Sequence, residues 1–233
     1  MTNRVYLGFD QALAKSGWAV LEFDKSKNKL NYVASGVFNP ETIWGRKSDA
    51  IIFLEHLHHI KTLLTEVSES GALQAIGVEG VAFAAPGQAA SRGGIFALYS
   101  TMSLPFADVV IISPTRLKKY LTDFGFAEKE DIKRVIEPRY GVSGLKPDEY
   151  DAIGLAEVTA YAHMIMNGEE ALVKKLLTPE QFLLFKEQKK APKNPTTKLR
   201  GIKKKTKRQI EKAEQLHGIC DRPDDFYITK RDK

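Results

Sequence analysis

Asp148-Glu149-Tyr150-Asp151-Ala152 decides how the rest of this chain folds around it. The stretch follows Lys146-Pro147 and runs on into Ile153-Gly154-Leu155-Ala156. Proline followed by acids at the head of an apolar run marks a helix N-terminus. Asp148 and Asp151 are three residues apart, so on a helix they share one face. Two carboxylates on that face can hold a hard divalent cation. A purely structural alternative stands beside this: Asp148 as an N-cap and Asp151 as an acid favoured by the helix dipole. The arrival of further acids from elsewhere in the chain discriminates between the two.

Upstream, Val5-Tyr6-Leu7-Gly8-Phe9-Asp10 reads as a buried strand ending in an acid. Gly17-Trp18-Ala19-Val20-Leu21-Glu22-Phe23 and Tyr32 to Phe38 read as two more strands, an antiparallel meander. Between Lys47 and Ser68 the apolar period changes to three and four, as a helix requires. Ala75-Ile76-Gly77-Val78-Glu79 is a short apolar strand, again ending in an acid, and suits a central parallel strand. Gln88 to Met102 reads as a helix with a small-residue face, suited to a dimer contact or to internal packing. Val109 to Ile112 is a further strand, and Thr115–Leu121 and Glu128–Ile136 are short helices before the one at Asp148. The fold class expected is α/β: a mixed sheet of three antiparallel strands, then two parallel ones, flanked by helices.

Asp10 and Glu79 then end neighbouring strands, at the sheet edge where α/β folds place their ligand chemistry. With Asp148 and Asp151 they make four carboxylates and no accompanying cysteine. Such a set favours Mg²⁺ or Mn²⁺ over zinc. Two ions about 4 Å apart can activate a water and stabilise the leaving oxygen in phosphodiester cleavage. His56, His58 and His59 also invite a metal, but on a helix this spacing makes the three imidazoles diverge.

The 233 residues are enough for one sizeable core and an appendage. The sequence has no run of about 20 apolar residues and no signal-peptide layout at Met1-Thr2-Asn3-Arg4, so a cytoplasmic protein without a membrane span is expected. The lone Cys220 excludes an internal disulfide framework. The net charge of +6 is uneven: Lys186 to Lys212 holds twelve Lys/Arg against two acids, which leaves −4 for the remainder. Such a basic extension suits a polyanion, although it can also be only a solvated tail. The expected division is a nuclease-like domain over 1–168 and a helical, basic, partly flexible extension over 169–233.

The ordered motifs resemble those of RuvC-type Holliday junction resolvases, a branch of the ribonuclease H-like superfamily. They are Leu7-Gly8-Phe9-Asp10 with Gly17-Trp18-Ala19-Val20, then Ala75 to Glu79, then Ser113-Pro114-Thr115-Arg116-Leu117-Lys118, Ala127-Glu128-Lys129 and Asp148 to Ala152. The resemblance implies a ribonuclease H-like fold and a Mg²⁺- or Mn²⁺-dependent endonuclease with two ions per site. It implies a homodimer that makes paired nicks across a four-way DNA junction in recombination and repair. It assigns Asp10, Glu79, Asp148 and Asp151 as metal-binding acids, and Lys118 and Lys129 as basic residues near the scissile phosphate. Arg116, Lys119 and Lys203-Lys204-Lys205 are expected on the DNA. The family's bacterial members carry an aromatic three residues after the second acid, where this chain has Ala82; Phe83 follows, either stacking on a base or packing in the core. The longer basic extension looks more like that of bacteriophage-encoded relatives. The neighbouring readings are a nuclease of flaps and forks, or a branched-DNA-binding protein without catalysis.

Overall fold

The computed structural model describes residues 3–40, 49–69, 72–80, 89–186 and 227–229. Its strands are β1 (Arg4–Asp10), β2 (Ser16–Asp24), β3 (Lys29–Phe38), β4 (Leu73–Glu79), β5 (Asp108–Ile112) and β6 (Tyr227–Thr229). Its helices are α1 (Asp49–Ser68), α2 (Ala89–Ser103), α3 (Pro114–Thr122), α4 (Lys129–Tyr140), α5 (Pro147–Met166), α6 (Glu170–Leu176) and α7 (Pro179–Lys186). The sheet order is β3-β2-β1-β4-β5-β6. β1–β2 and β2–β3 are antiparallel, and β1–β4 and β4–β5 are parallel. This is the expected mixed sheet, with one addition from the C-terminal extension: β6 pairs antiparallel with the outer edge of β5. Three residues between charged flanks carry no periodicity, so β6 had no signal of its own.

Side chains alternate along the strands and divide the core in two. Tyr6, Leu21, Ala75, Val110 and Ile112 face α3, α4 and α5. Val5, Leu7, Phe9, Ile76, Val78 and Val109 face α1 and α2. Gly94 of α2 lies against Phe53 of α1, where an added Cβ would come within 2.8 Å of the ring, so that part of the small-residue face serves internal packing.

Helix α5 is buried over most of its length and lies across the sheet. It comes so close that a Cβ on Gly8 would overlap the Ala152 carbonyl, and one on Gly17 the Asp148 carbonyl. The two glycines therefore set how near the first turn of α5 sits to the ends of β1 and β2. The N-cap of α5 is Lys146, followed by Pro147 at its first position. Glu149, not Asp148, serves the helix start. Its carboxylate accepts the Lys146 N–H at 2.9 Å and the Ser35 hydroxyl at 2.7 Å. The capping alternative for Asp148 therefore fails, because another acid holds that role.

Helix α4 runs four residues beyond the expected Ile136, through Pro138 to a left-handed Gly141. Proline removes one helical donor but does not end the helix, because it lies in the last turn and Gly141 caps that turn instead. Helices α6 and α7 dock on the domain. Arg4 pairs with Glu169 at 2.6 Å, and Gln181 donates to the Tyr120 carbonyl at 3.1 Å.

Candidate active site

Parallel pairing puts Phe9 beside Val78, so Asp10 and Glu79 emerge together at the carboxyl ends of β1 and β4. Their carboxyl groups are within hydrogen-bonding reach of each other. Two ionised carboxylates cannot share such a contact, so one must hold a proton. Burial is the main reason. It pushes Asp10 up to about 7, reinforced by the charge of Asp151, and it pushes Glu79 well above the ordinary carboxylate range, reinforced by Asp10. Asp151, from the second turn of α5, is raised by burial to about 6, with Lys129 and Lys118 opposing the shift.

Asp148 behaves differently. Burial pushes it up, but bonds from Lys129 and Lys15 outweigh this and hold it below its ordinary value. Lys129 Nζ lies 2.5 Å from Oδ1 and Lys15 Nζ 2.5 Å from Oδ2. Lys129 also reaches Asp151 at 3.8 Å. Burial disfavours the Lys129 charge, yet its bond to Asp148 and the field of Asp151 raise its pKa overall. Lys118, on α3, acts electrostatically on Glu79 and Asp151. The six residues from β1, β4, α3, α4 and α5 are thus one electrostatic unit.

Two further residues belong to it and had no signal in the sequence. Gln11 clasps the end of β4: its carbonyl accepts the Glu79 N–H at 3.0 Å and its amide donates to the Glu79 carbonyl. Lys15 lies in the loop from β1 to β2, and that loop is fixed from several sides. Ser16 Oγ accepts the Ala12 N–H at 3.1 Å and donates to the Ala12 carbonyl at 3.0 Å. His56 Nε2 lies 3.0 Å from the Leu13 carbonyl, while its Nδ1 is 2.9 Å from the Tyr99 hydroxyl. A carbonyl only accepts, so Nε2 carries the proton and Nδ1 accepts from Tyr99. His56 is therefore a buried strut for the loop. His59 stacks on Phe38 with ring centroids 4.3 Å apart.

The donor set suits a hard cation. All four acids offer oxygen donors, burial holds Asp10, Glu79 and Asp151 above the ordinary carboxylate range, and a lysine ammonium already bridges Asp148 and Asp151. As the side chains stand, no three His, Cys, Asp or Glu among the described residues converge tightly enough to hold an ion. Of the expected DNA contacts, Lys119 is exposed on α3. The Arg116 guanidinium donates to the Leu184 carbonyl at 2.7 Å, tying α3 to α7. Phe83 and Lys203-Lys204-Lys205 lie outside the described residues. Among the described residues no helix is long and apolar enough to cross a membrane.

No family model matches the chain. It is 32% identical over 170 residues to the crossover junction endodeoxyribonuclease RuvC of Neorickettsia sennetsu, covering 70% of this chain and 98% of that protein. It is 30% identical over 156 residues to the protein of the same name from Rickettsia bellii, covering 65% of this chain and 94% of that one. Among solved structures it resembles Thermus thermophilus RuvC in complex with Holliday junction substrate. That match has a TM-score of 0.55 and 17% identity, and covers 71% of this chain and 97% of that one.

Proposed function

The chain belongs to the RuvC family of crossover junction endodeoxyribonucleases, and from that premise we propose that it resolves four-way DNA junctions by paired, metal-dependent nicks. The observation that carries the proposal is the parallel pairing of β1 with β4. It brings Asp10 and Glu79 together at one sheet edge, opposite Asp148 and Asp151 on α5. A protein that only bound DNA would have no use for concentrated negative charge facing a phosphate.

The four acids are the proposed ligands for Mg²⁺ or Mn²⁺. Bound there, such ions supply an activated water and stabilise the leaving oxygen. The chain's own residues do the rest. Asp10 and Glu79 hold a shared proton in the free protein and release it as positive charge arrives. Lys118 and Lys129, on separate helices, draw the phosphate oxygens towards the acids and offset the charge that builds on them. Asp148 keeps the Lys129 ammonium in place until then.

Paired nicks need two such sites facing opposed strands, so the working form is a homodimer. The nuclease domain spans 1–168 and the basic extension 169–233 adds phosphate contacts, among them Lys203-Lys204-Lys205, that raise affinity without reading sequence. A chromosomal substrate places the protein in the bacterial cytoplasm, whether the gene belongs to the bacterium or to a phage.

The test is cleavage of end-labelled four-way junction, flap, fork and linear duplex with Mg²⁺, Mn²⁺ or EDTA. Wild type is compared with Asp10→Asn and Asp151→Asn. Symmetric nicks in the junction, lost with EDTA and in both variants, are expected. Equal cutting of flaps and forks would remove the junction preference, and tight binding without cutting under either metal would overturn the enzyme.

A further inference from the structure

Phe124 and Phe126 stand apart from the other aromatic residues with described side chains. They are 60% and 79% exposed, and no other Phe, Tyr or Trp with a described side chain is exposed. Their rings meet edge to face, with centroids 5.9 Å apart at 63°, which leaves ring faces open to solvent. Lone exposed apolar residues need no explanation, but a mutually oriented aromatic pair does.

The turn that carries them is built, and it does not depend on the rings. Helix α3 ends at a left-handed Asp123 whose N–H bonds the Lys119 carbonyl at 2.9 Å. The Thr122 hydroxyl donates to the Lys118 carbonyl at 2.8 Å and accepts the Phe124 N–H at 3.3 Å. The Ala127 N–H bonds the Phe124 carbonyl at 3.2 Å, and Ala127 itself is buried. Gly125 sits so close to α3 that a Cβ would come within 2.8 Å of the Thr115 methyl. The backbone is held from both sides while the two rings are held outward.

Position and charge say what they are held out for. The turn joins the helix of Lys118 and Lys119 to the helix of Lys129, whose ammonium contacts Asp148 and Asp151. Two residues separate Phe126 from Lys129, so their Cα atoms are at most about 11 Å apart. Asp123 and Glu128 flank the rings and are both exposed. The exposed area of the pair is on the order of 300 Å². A stable protein interface needs about 800 Å² per partner, whereas a single base and its neighbour need no more than the pair presents.

We propose that Phe124 and Phe126 are a stacking platform for a nucleobase unstacked at the branch point, within about three nucleotides of the phosphate that Lys129 engages. This rests on the junction-endonuclease reading above. It is a contact on the α3–α4 turn, separate from the segment after β4 that holds Phe83.

The experiment uses full-length protein in EDTA, so that the DNA stays intact. Four-way junctions carry 2-aminopurine at single positions around the branch point. Emission is read alongside Kd, by anisotropy, for the junction and for linear duplex. The proteins are wild type, the double variant Phe124→Ala/Phe126→Ala, and Phe126→Trp. Because both rings are exposed, melting temperatures should match.

Wild type should change the emission at one or a few positions. The double alanine variant should lose that change and bind the junction about tenfold or more weakly, with duplex affinity unaltered. Phe126→Trp should retain both. Unchanged emission and junction affinity in the double variant would overturn the platform while leaving the endonuclease intact. A fall in sedimentation from dimer to monomer would overturn it in favour of a subunit contact. Failure of wild type to prefer junction over duplex would overturn the underlying reading and the platform with it.

Discussion

Replacing Asp10 with asparagine should stabilise the metal-free protein while it abolishes cleavage. Asp10 is pushed up to about 7 by burial and by the neighbouring carboxylates, from an ordinary value of 3.8. A displacement of that size corresponds to about 4 kcal/mol at a pH where the group must ionise. The folded state keeps a proton that the unfolded chain loses from about pH 4 upward. Stability therefore falls as pH rises through the window from 4 to 7 and stays reduced above it. Asparagine fills the same space without the charge and removes that penalty. Glu79 shares the proton, so only part is recovered: roughly 1–4 kcal/mol at pH 8. For a chain of this size that is a rise in melting temperature of roughly 3–10 °C. The assay is thermal unfolding in EDTA at pH 5, 6.5 and 8, for wild type and variant. The curves should separate most at pH 8 and draw closer, to under half that separation, at pH 5. Adding Mn²⁺ should raise the wild-type melting temperature more at pH 8 than at pH 5, and the variant's much less at either. A variant that melts at or below wild type at pH 8 in EDTA would refute the claim that these acids are electrostatically frustrated.

Lys15→Met removes one of the two ammonium groups on Asp148, so Mn²⁺ followed by electron paramagnetic resonance should bind more tightly, with stability changed by about 1 kcal/mol or less because Lys15 is 38% exposed. Weaker binding would mean that Lys15 supports the ligand geometry and does not compete with the ion. Gly17→Ala forces a Cβ into the Asp148 carbonyl and should cost about 1–3 kcal/mol in urea unfolding, with cleavage lost beyond what the fraction unfolded explains. Glu157 is 4% exposed and accepts from Tyr120, Arg139 and Tyr140 at 2.7, 2.6 and 2.9 Å. Glu157→Leu strands all three partners and should destabilise by roughly 2–4 kcal/mol, whereas Glu157→Gln, which keeps acceptor oxygen in place, should cost less. Equal losses in the two variants would count against this account of the network.

The sheet and its acids were legible because they rest on local pattern. Each strand that delivers a carboxylate is an apolar run with the acid at its end, and parallel pairing of two such strands follows from the intervening helix. The pair on α5 was legible from the helix start, although proline and three acids within four residues left open which acid served the helix. Glu149 took that role because Ser35 of β3 and the Lys146 N–H lie on its side. Lys15 and Gln11 were not legible, since a lysine and a glutamine in a short loop carry no period and no spacing. Their roles exist only once the loop is folded against α1 and α5. The three histidines drew attention by proximity in sequence, yet His56 turned out to serve that loop, through contacts with residues far from it in the chain. Phe124 and Phe126 read as ordinary apolar residues beside a glycine, because exposure is invisible until the turn is placed.

The two acids of α5 share a face yet titrate in opposite directions, and this separates their tasks. Asp148 has a lysine on each oxygen, which holds it below the ordinary carboxylate value. Asp151 is pushed up by burial, with Lys129 at 3.8 Å and Lys118 only partly opposing it, so its proton comes off near 6. Asp10 and Glu79 hold theirs more firmly still. A cation approaching this cluster therefore meets one carboxylate already charged and three that can become so. The first supplies the initial attraction, at the expense of its lysines. The other three are held above the ordinary carboxylate range, so full ionisation of the cluster would cost less with a bound cation than without one. Lys15 and Lys129 would then stand beside the site, available to a phosphate. Burial, which by itself disfavours four ionised carboxylates in one place, is the largest cause of all three upward shifts.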